Sequence, residues 1–121
     1  MVKLTRAQIR PGVKGVDVTI KSSKGFARAF SPTWPMVMGY KNGTLTEAQY
    51  TEQYMKILDA VSVEAWRWLY AQAVDGEVVL LCYCRDKDAS GNRVFCHTRL
   101  IAADAAARFP KAFVDCANAP I

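Results

Sequence analysis

Val78-Val79-Leu80-Leu81-Cys82-Tyr83-Cys84, followed beyond a polar loop by Val94-Phe95-Cys96-His97-Thr98-Arg99-Leu100, is the stretch that decides the fold. Its first four residues form a continuous apolar run containing β-branched side chains. Such a run suits a strand buried on both faces, as in a parallel sheet. Asp75-Gly76 just before it reads as a turn. The loop from Arg85 to Arg93 carries Asp-Lys-Asp and Ser-Gly-Asn. From about Cys96 to Arg108, His97, Leu100, Ile101 and Ala105 share one helical face, and Pro110 stops the helix. Strand, polar loop and helix in this order predict an α/β unit.

Working outward, Val16, Val18 and Ile20 alternate with Asp17, Thr19 and Lys21, the period of a half-buried strand. Residues 2–9 are a weaker strand candidate, set off by Pro11-Gly12. Ser22 to Pro35 reads as loop. Pro35 opens a short helix through Tyr40, which Asn42-Gly43 ends. Thr44 to Glu47 and Thr46 to Gln49 both fit a capping box. After it Tyr50, Tyr54, Ile57, Leu58 and Val61 make one apolar stripe. Ser62 caps a further helix with a stripe of Trp66, Leu69, Tyr70 and Ala73. Trp68 falls about 200° from Trp66, off that stripe. It is expected either packed on another element or exposed at an interface. The expectation is one α/β domain over residues 1–121. Its small, mainly parallel sheet is packed with helices in Rossmann-like layers.

Composition fits this. The 121 residues are 51% apolar and 22% charged, a globular balance that excludes a disordered chain. No apolar run nears the roughly 20 residues that span a bilayer, so no membrane partner is expected. Met1 to Arg10 has no apolar core of a secretory signal, and a cytoplasmic location is expected. Four cysteines in that setting read as reduced thiols. Residues 1–30 carry Lys3, Arg6, Arg10, Lys14, Lys21, Lys24 and Arg28 against Asp17 alone, and the other residues nearly balance. This basic quarter is either a polyanion-binding face or protection for exposed strand edges.

The residues that could carry chemistry converge on the strand–loop–helix. Ligands of open α/β sheets bind beyond the carboxyl ends of the strands. Cys84 should lie at such an end. Cys96 and His97 should open the next helix, where free N–H groups favour an anion and lower a thiol pKa. Cys96 is then a nucleophile candidate with His97, the sole histidine, as its base. Cys84 and Asp17 complete the catalytic candidates. Arg99, Arg85, Lys21, Trp34 and Lys41 are candidates for binding an anionic or stacking ligand. Cys82, inside the strand, reads as a buried packing residue. Zinc has suitable donors in Cys82, Cys84, Cys96 and His97. Adjacent Cys96 and His97 are cramped for one ion, however, and no metal or cofactor is expected.

Asp17-Val-Thr-Ile-Lys-Ser, Phe30-Ser-Pro-Thr-Trp, Gly39-Tyr-Lys-Asn-Gly, the Tyr50 to Tyr54 helix, Leu80-Leu-Cys-Tyr-Cys and Phe95-Cys-His-Thr-Arg-Leu occur in this order. Together they resemble the YeaO-like family, catalogued as domain of unknown function 488, above all its short bacterial and phage members. The resemblance runs from about residue 16 to 105. It implies a compact α/β fold and a nucleotide- or nucleic-acid-directed role. The family reads Cys-His-Arg at the helix start. Here Thr98 holds the third place and Arg99 follows, about 100° further round the helix.

The functional expectation is a protein that binds a phosphate-bearing ligand, a nucleotide or nucleic acid, and could act on it through Cys96 and His97. One alternative is a non-enzymatic module binding nucleic acid or protein. A second is a zinc-stabilised domain.

Overall fold

The computed structural model describes residues 1–118. Four strands, β1 (Val2–Gln8), β2 (Val16–Asp17), β3 (Glu77–Cys82) and β4 (Phe113–Asp115), form one sheet in the order β2-β3-β1-β4. Every pairing is parallel: Leu4 faces Val78, Val2 faces Phe113 and Val16 faces Leu80. Four helices, α1 (Trp34–Lys41), α2 (Glu47–Asp59), α3 (Val63–Ala71) and α4 (His97–Arg108), complete the described residues with a 3-10 helix, Gly25–Phe30. The architecture is a small α/β fold with a parallel sheet. Among the described residues no helix is long and apolar enough to cross a membrane.

The local chemistry explains the helices. The Thr33 hydroxyl accepts from the Met36 N–H, with Pro35 in the first turn. Thr46 and Gln49 close the second of the two capping boxes in the sequence. The Ser62 hydroxyl accepts from the Ala65 N–H. Tyr50, Tyr54 and Leu58 turn inward from α2, and Ala65, Trp66 and Leu69 from α3. The buried Tyr54 hydroxyl donates to the Phe30 carbonyl at 2.5 Å, pinning the 3-10 helix to α2. Trp68 is half-buried and packs against Phe26, with ring centroids 6.1 Å apart. Of its two expected fates, packing on another element is the one observed.

Connections from β2 to β3 and from β3 to β4 step the same way across the sheet. Right-handed crossovers therefore put their helices on one face. Val2, Leu4, Val78 and Leu80 line that face and are buried with Tyr54, Leu58 and Ile101 in one core. The step from β1 to β2 runs the other way, and residues 9–15 take it without a helix. The far face is consequently only partly covered: Lys3 is exposed, and Thr5, Ala7, Val79 and Val114 are half-buried. This corrects the expectation that β3 is buried on both faces. On the far side only Leu81 is buried.

Three further elements differ in extent or place from their sequence reading. The strand expected over 16–21 stops at Asp17, because the Asp17 carboxylate turns back to accept from the Thr19 N–H at 2.9 Å and from the Ser22 hydroxyl. The weaker candidate over 2–9 forms β1, Val2–Gln8, the strand between β3 and β4. β4 carries no alternation long enough to signal itself.

Gly15 is where the crossing loop touches the sheet. A Cβ there would collide with the Val79 carbonyl oxygen and lie 3.0 Å from Leu81 Cγ. Gly15→Ala should therefore destabilise the fold by about 1–3 kcal/mol, an overpacking cost. Urea unfolding will measure it, and an unchanged midpoint would mean that the loop moves freely off the sheet.

Candidate functional site

β3 ends in Cys82, and Cys96 is the residue that caps α4, in an extended conformation with φ −154° and ψ 144°. The carboxyl end of the sheet thus brings both sulfurs together. Cys82 Sγ lies 3.0 Å from Cys96 Sγ. Cys84 joins them, all three sulfurs falling within 4.8 Å of one another. One wall of a cavity of about 550 Å³ is built from these three cysteines and His97. Trp34, Tyr40, Tyr50, Tyr83 and Phe95 supply aromatic surface around it, and Lys21 and Lys41 its cations. Trp34 is 50% exposed at the rim.

Behind the sulfurs sits Arg6, from β1, with a side chain only 3% exposed. Its Nη2 donates to Cys82 Sγ at 2.9 Å and to the Cys84 carbonyl at 2.7 Å. Its Nε donates to Thr98 Oγ1 at 3.3 Å. A buried guanidinium requires a counter-charge. Its one carboxylate, Asp86, is 3.4 Å away and 61% exposed. The sulfurs are nearer and drier, so a thiolate in the cluster is the fitting partner. Burial works against the charge on Arg6. Attraction to Cys82 and Cys96, with Asp86, overcomes it and holds the guanidinium above its ordinary pKa.

Within the cluster Cys96 is the sulfur favoured as thiolate. Hydrogen bonding with the Cys82 and Cys84 thiols holds Cys96 well below the ordinary thiol value, against burial, and Thr98 adds to the effect. The Thr98 hydroxyl donates to Cys96 Sγ at 3.3 Å. Cys84 moves the opposite way: donating toward Cys82 and Cys96, it is held far above the usual range. This is the behaviour of one charge shared among crowded thiols.

His97 is buried, and burial lowers its pKa. Its Nε2 lies 2.9 Å from the Val18 carbonyl, which can only accept, so Nε2 carries the hydrogen. In that neutral tautomer the unprotonated Nδ1 lies 3.8 Å from Cys96 Sγ. Cys96 precedes the helix rather than belonging to it, so the usual 100° separation of helical neighbours does not hold the two side chains apart.

The remaining candidates divide. Lys21, Trp34 and Lys41 line the cavity. Lys21 also lies over the Tyr83 ring, 5.3 Å from its centroid. Asp17 holds the turn after β2 and reaches the site only indirectly, through Ser22, whose hydroxyl is 2.9 Å from the Tyr83 hydroxyl. Arg99 does not supply charge to the mouth as expected. Its guanidinium is buried and donates to the Val94 carbonyl, the Ala117 carbonyl and Asp86 Oδ1, tying the loop to the segment after β4. Arg85 is exposed and does not line the cavity.

Sequence reasoning missed Arg6 and read Cys82 as packing. The signal was there: Arg6 follows Val2 and Leu4 in the inward alternation of β1, an uncompensated cation at a core position. The convergence of three thiols also revises the objection to a metal, since His97 need not take part. One ion could touch all three sulfurs. With metal–sulfur bonds of about 2.3 Å, tetrahedral sulfurs stand about 3.8 Å apart. The 3.0 Å between Cys82 and Cys96 is closer than that.

No family model, curated protein or solved structure matches the chain.

His97 gives the site a pH signature. Its folded pKa lies below its unfolded value of about 6.5, so the unfolded chain takes up the proton first and stability falls as pH drops below that value. The loss should reach up to about 1.4 kcal/mol per pH unit from this one group. Cys82, Arg6 and Asp17 act on it, and Cys96, with its sulfur 3.8 Å from Nδ1, is the nearest titratable neighbour. His97→Gln keeps a donor for Val18 and cannot titrate. Chemical denaturation between pH 7 and 5 should give a flatter profile for this variant than for the native chain.

Proposed function

We propose that the protein binds a phosphate-bearing ligand with a flat ring, a nucleotide or the end of a nucleic acid, and acts on it with Cys96 as nucleophile. One observation carries the reading. A cysteine favoured as thiolate, stacking aromatics and two lysines share a single cavity at the carboxyl ends of parallel strands. Trp34, Tyr40 and Phe95 offer ring faces that suit any base. Lys21 and Lys41 suit the phosphate. Cys96 attacks an electrophilic centre of the bound ligand. His97 Nδ1 is the group beside it able to take a proton. Arg6 acts through the sulfurs, as a positioning residue. The resemblance to the YeaO-like family, carried by Leu80 to Cys84 and Phe95 to Leu100, adds to this reading and is part of the proposal.

Alkylation of the reduced protein by iodoacetamide tests it, with peptide mass mapping to locate the label. Cys96 should react with an apparent pKa below the free thiol value of about 8.5, and faster than the half-buried Cys116. Nucleoside phosphates should slow the labelling of Cys96, and the protection should weaken with added salt and in Lys21→Glu and Lys41→Glu variants. Arg6→Gln, which keeps donors and removes the charge, should raise the apparent pKa of Cys96 labelling by about one unit. If Cys96 labels no faster than Cys116, or no nucleotide protects it, the reading fails.

A further inference from the structure

The sulfurs of Cys82 and Cys96 are nearer to each other than a nucleophile and a packing residue need to be. At 3.0 Å they are about 1 Å from the length of a disulfide, 2.05 Å. Both stand in the cavity wall, Cys96 3% and Cys82 1% exposed, so a group that reaches one sulfur lies against the other. We propose that Cys96 and Cys82 form a reversible oxidation site for organic hydroperoxides, with Cys96 the attacking sulfur and Cys82 the resolving one. This rests on the reading of Cys96 as a reactive thiolate and adds a means of switching it off.

The chemistry balances with these groups. The Cys96 thiolate attacks the outer peroxide oxygen. The O–O bond breaks, the alkoxide leaves and takes a proton from solvent, and Cys96 becomes a sulfenic acid. Cys82 sulfur then attacks the Cys96 sulfur. The S–S bond forms as the S–O bond breaks, and the hydroxyl departs with the Cys82 proton as water. Two thiols and one hydroperoxide give a disulfide, an alcohol and water. An external dithiol restores the thiols by exchange.

Arg6 favours the first step through its neighbour: its Nη2 bonds Cys82 Sγ, which lies 3.0 Å from the attacking sulfur, so positive charge stands beside the pair. Thr98 fixes that sulfur from the helix side. Resolution by Cys82 needs only that the two sulfurs close the remaining gap between the end of β3 and the start of α4. Cys84, with its half-exposed place on the loop, is not required. The aromatic walls select the oxidant: a hydroperoxide with an apolar ring gains contact there that hydrogen peroxide cannot.

The test uses the intact protein, reduced, treated with chelator and freed of nucleotide. Cumene hydroperoxide should link Cys82 to Cys96, located by non-reducing peptide mapping, and dithiothreitol should reverse it. The reaction should run about tenfold faster than with hydrogen peroxide, the gain from burying part of one ring. Cys82→Ser should stop at the sulfenic acid, trapped by dimedone on Cys96. Cys84→Ser and Cys116→Ser should still close the bond. Linkage of Cys96 to Cys84 or Cys116, or sulfinic acid on Cys96 without any disulfide, would overturn the proposal. So would an equal rate with both peroxides, or a stoichiometric metal ion whose return after chelation blocks oxidation. Fast alkylation of Cys96 without disulfide formation would sink this inference alone, whereas slow alkylation would sink the nucleophile reading beneath it.

Discussion

The structure turns on one buried cation. Arg6 enters the core from the middle of the sheet and meets the end of β3, the loop after it and the first turn of α4 at one point. A guanidinium taken out of water costs several kcal/mol unless charge and hydrogen bonds meet it. Here sulfurs, a carbonyl and a hydroxyl do so together. That requirement fixes the path of the chain from Cys82 to Thr98 more tightly than apolar packing could. Cores accept many apolar shapes, whereas a fork of N–H donors accepts few arrangements. The charge that makes the thiols unusual is thus also the charge that holds their frame.

A second arginine does related work outside the cavity. Arg99 and Arg6 both reach Asp86, one from the helix and one from the strand. Arg99 continues to carbonyls at Val94 and Ala117. The polar loop from 85 to 94 is therefore bracketed at both ends, although most of its side chains face water. Arg99 thus turns to the backbone rather than to the cavity mouth, and Thr98, the residue before it, bonds the sulfur.

Much of the frame was legible because it is written in local chemistry. The apolar run of β3, the Thr46 capping box, the Ser62 cap and the stretch from Cys96 to Arg108 each fall where pattern put them. What escaped depends on distant partners. β4 is three residues that become a strand by lying beside β1. β2 is cut short by its own aspartate. The site was legible as a neighbourhood, Cys84, Cys96 and His97, and illegible as a mechanism. Nothing local to Cys82 says that Cys96 will touch it, and Arg6 counted as one base among seven in a basic segment. Its even spacing from Val2 and Leu4 carried the information that its charge obscured.

The parallel order β2-β3-β1-β4 also bears on how the chain reaches its fold. β1 has two neighbours, and neither is close in sequence: Leu4 pairs with Val78, and Val2 with Phe113. The middle of the sheet therefore waits for closure of loops spanning most of the chain, and Arg6 waits with it for its sulfurs. Helices α2 and α3 have caps and stripes of their own and can gather earlier. Such long-range pairing slows folding relative to helical proteins of the same size. The thiol site depends on that pairing, because Arg6 meets Cys82 and Cys96 only where the first strand lies beside the third.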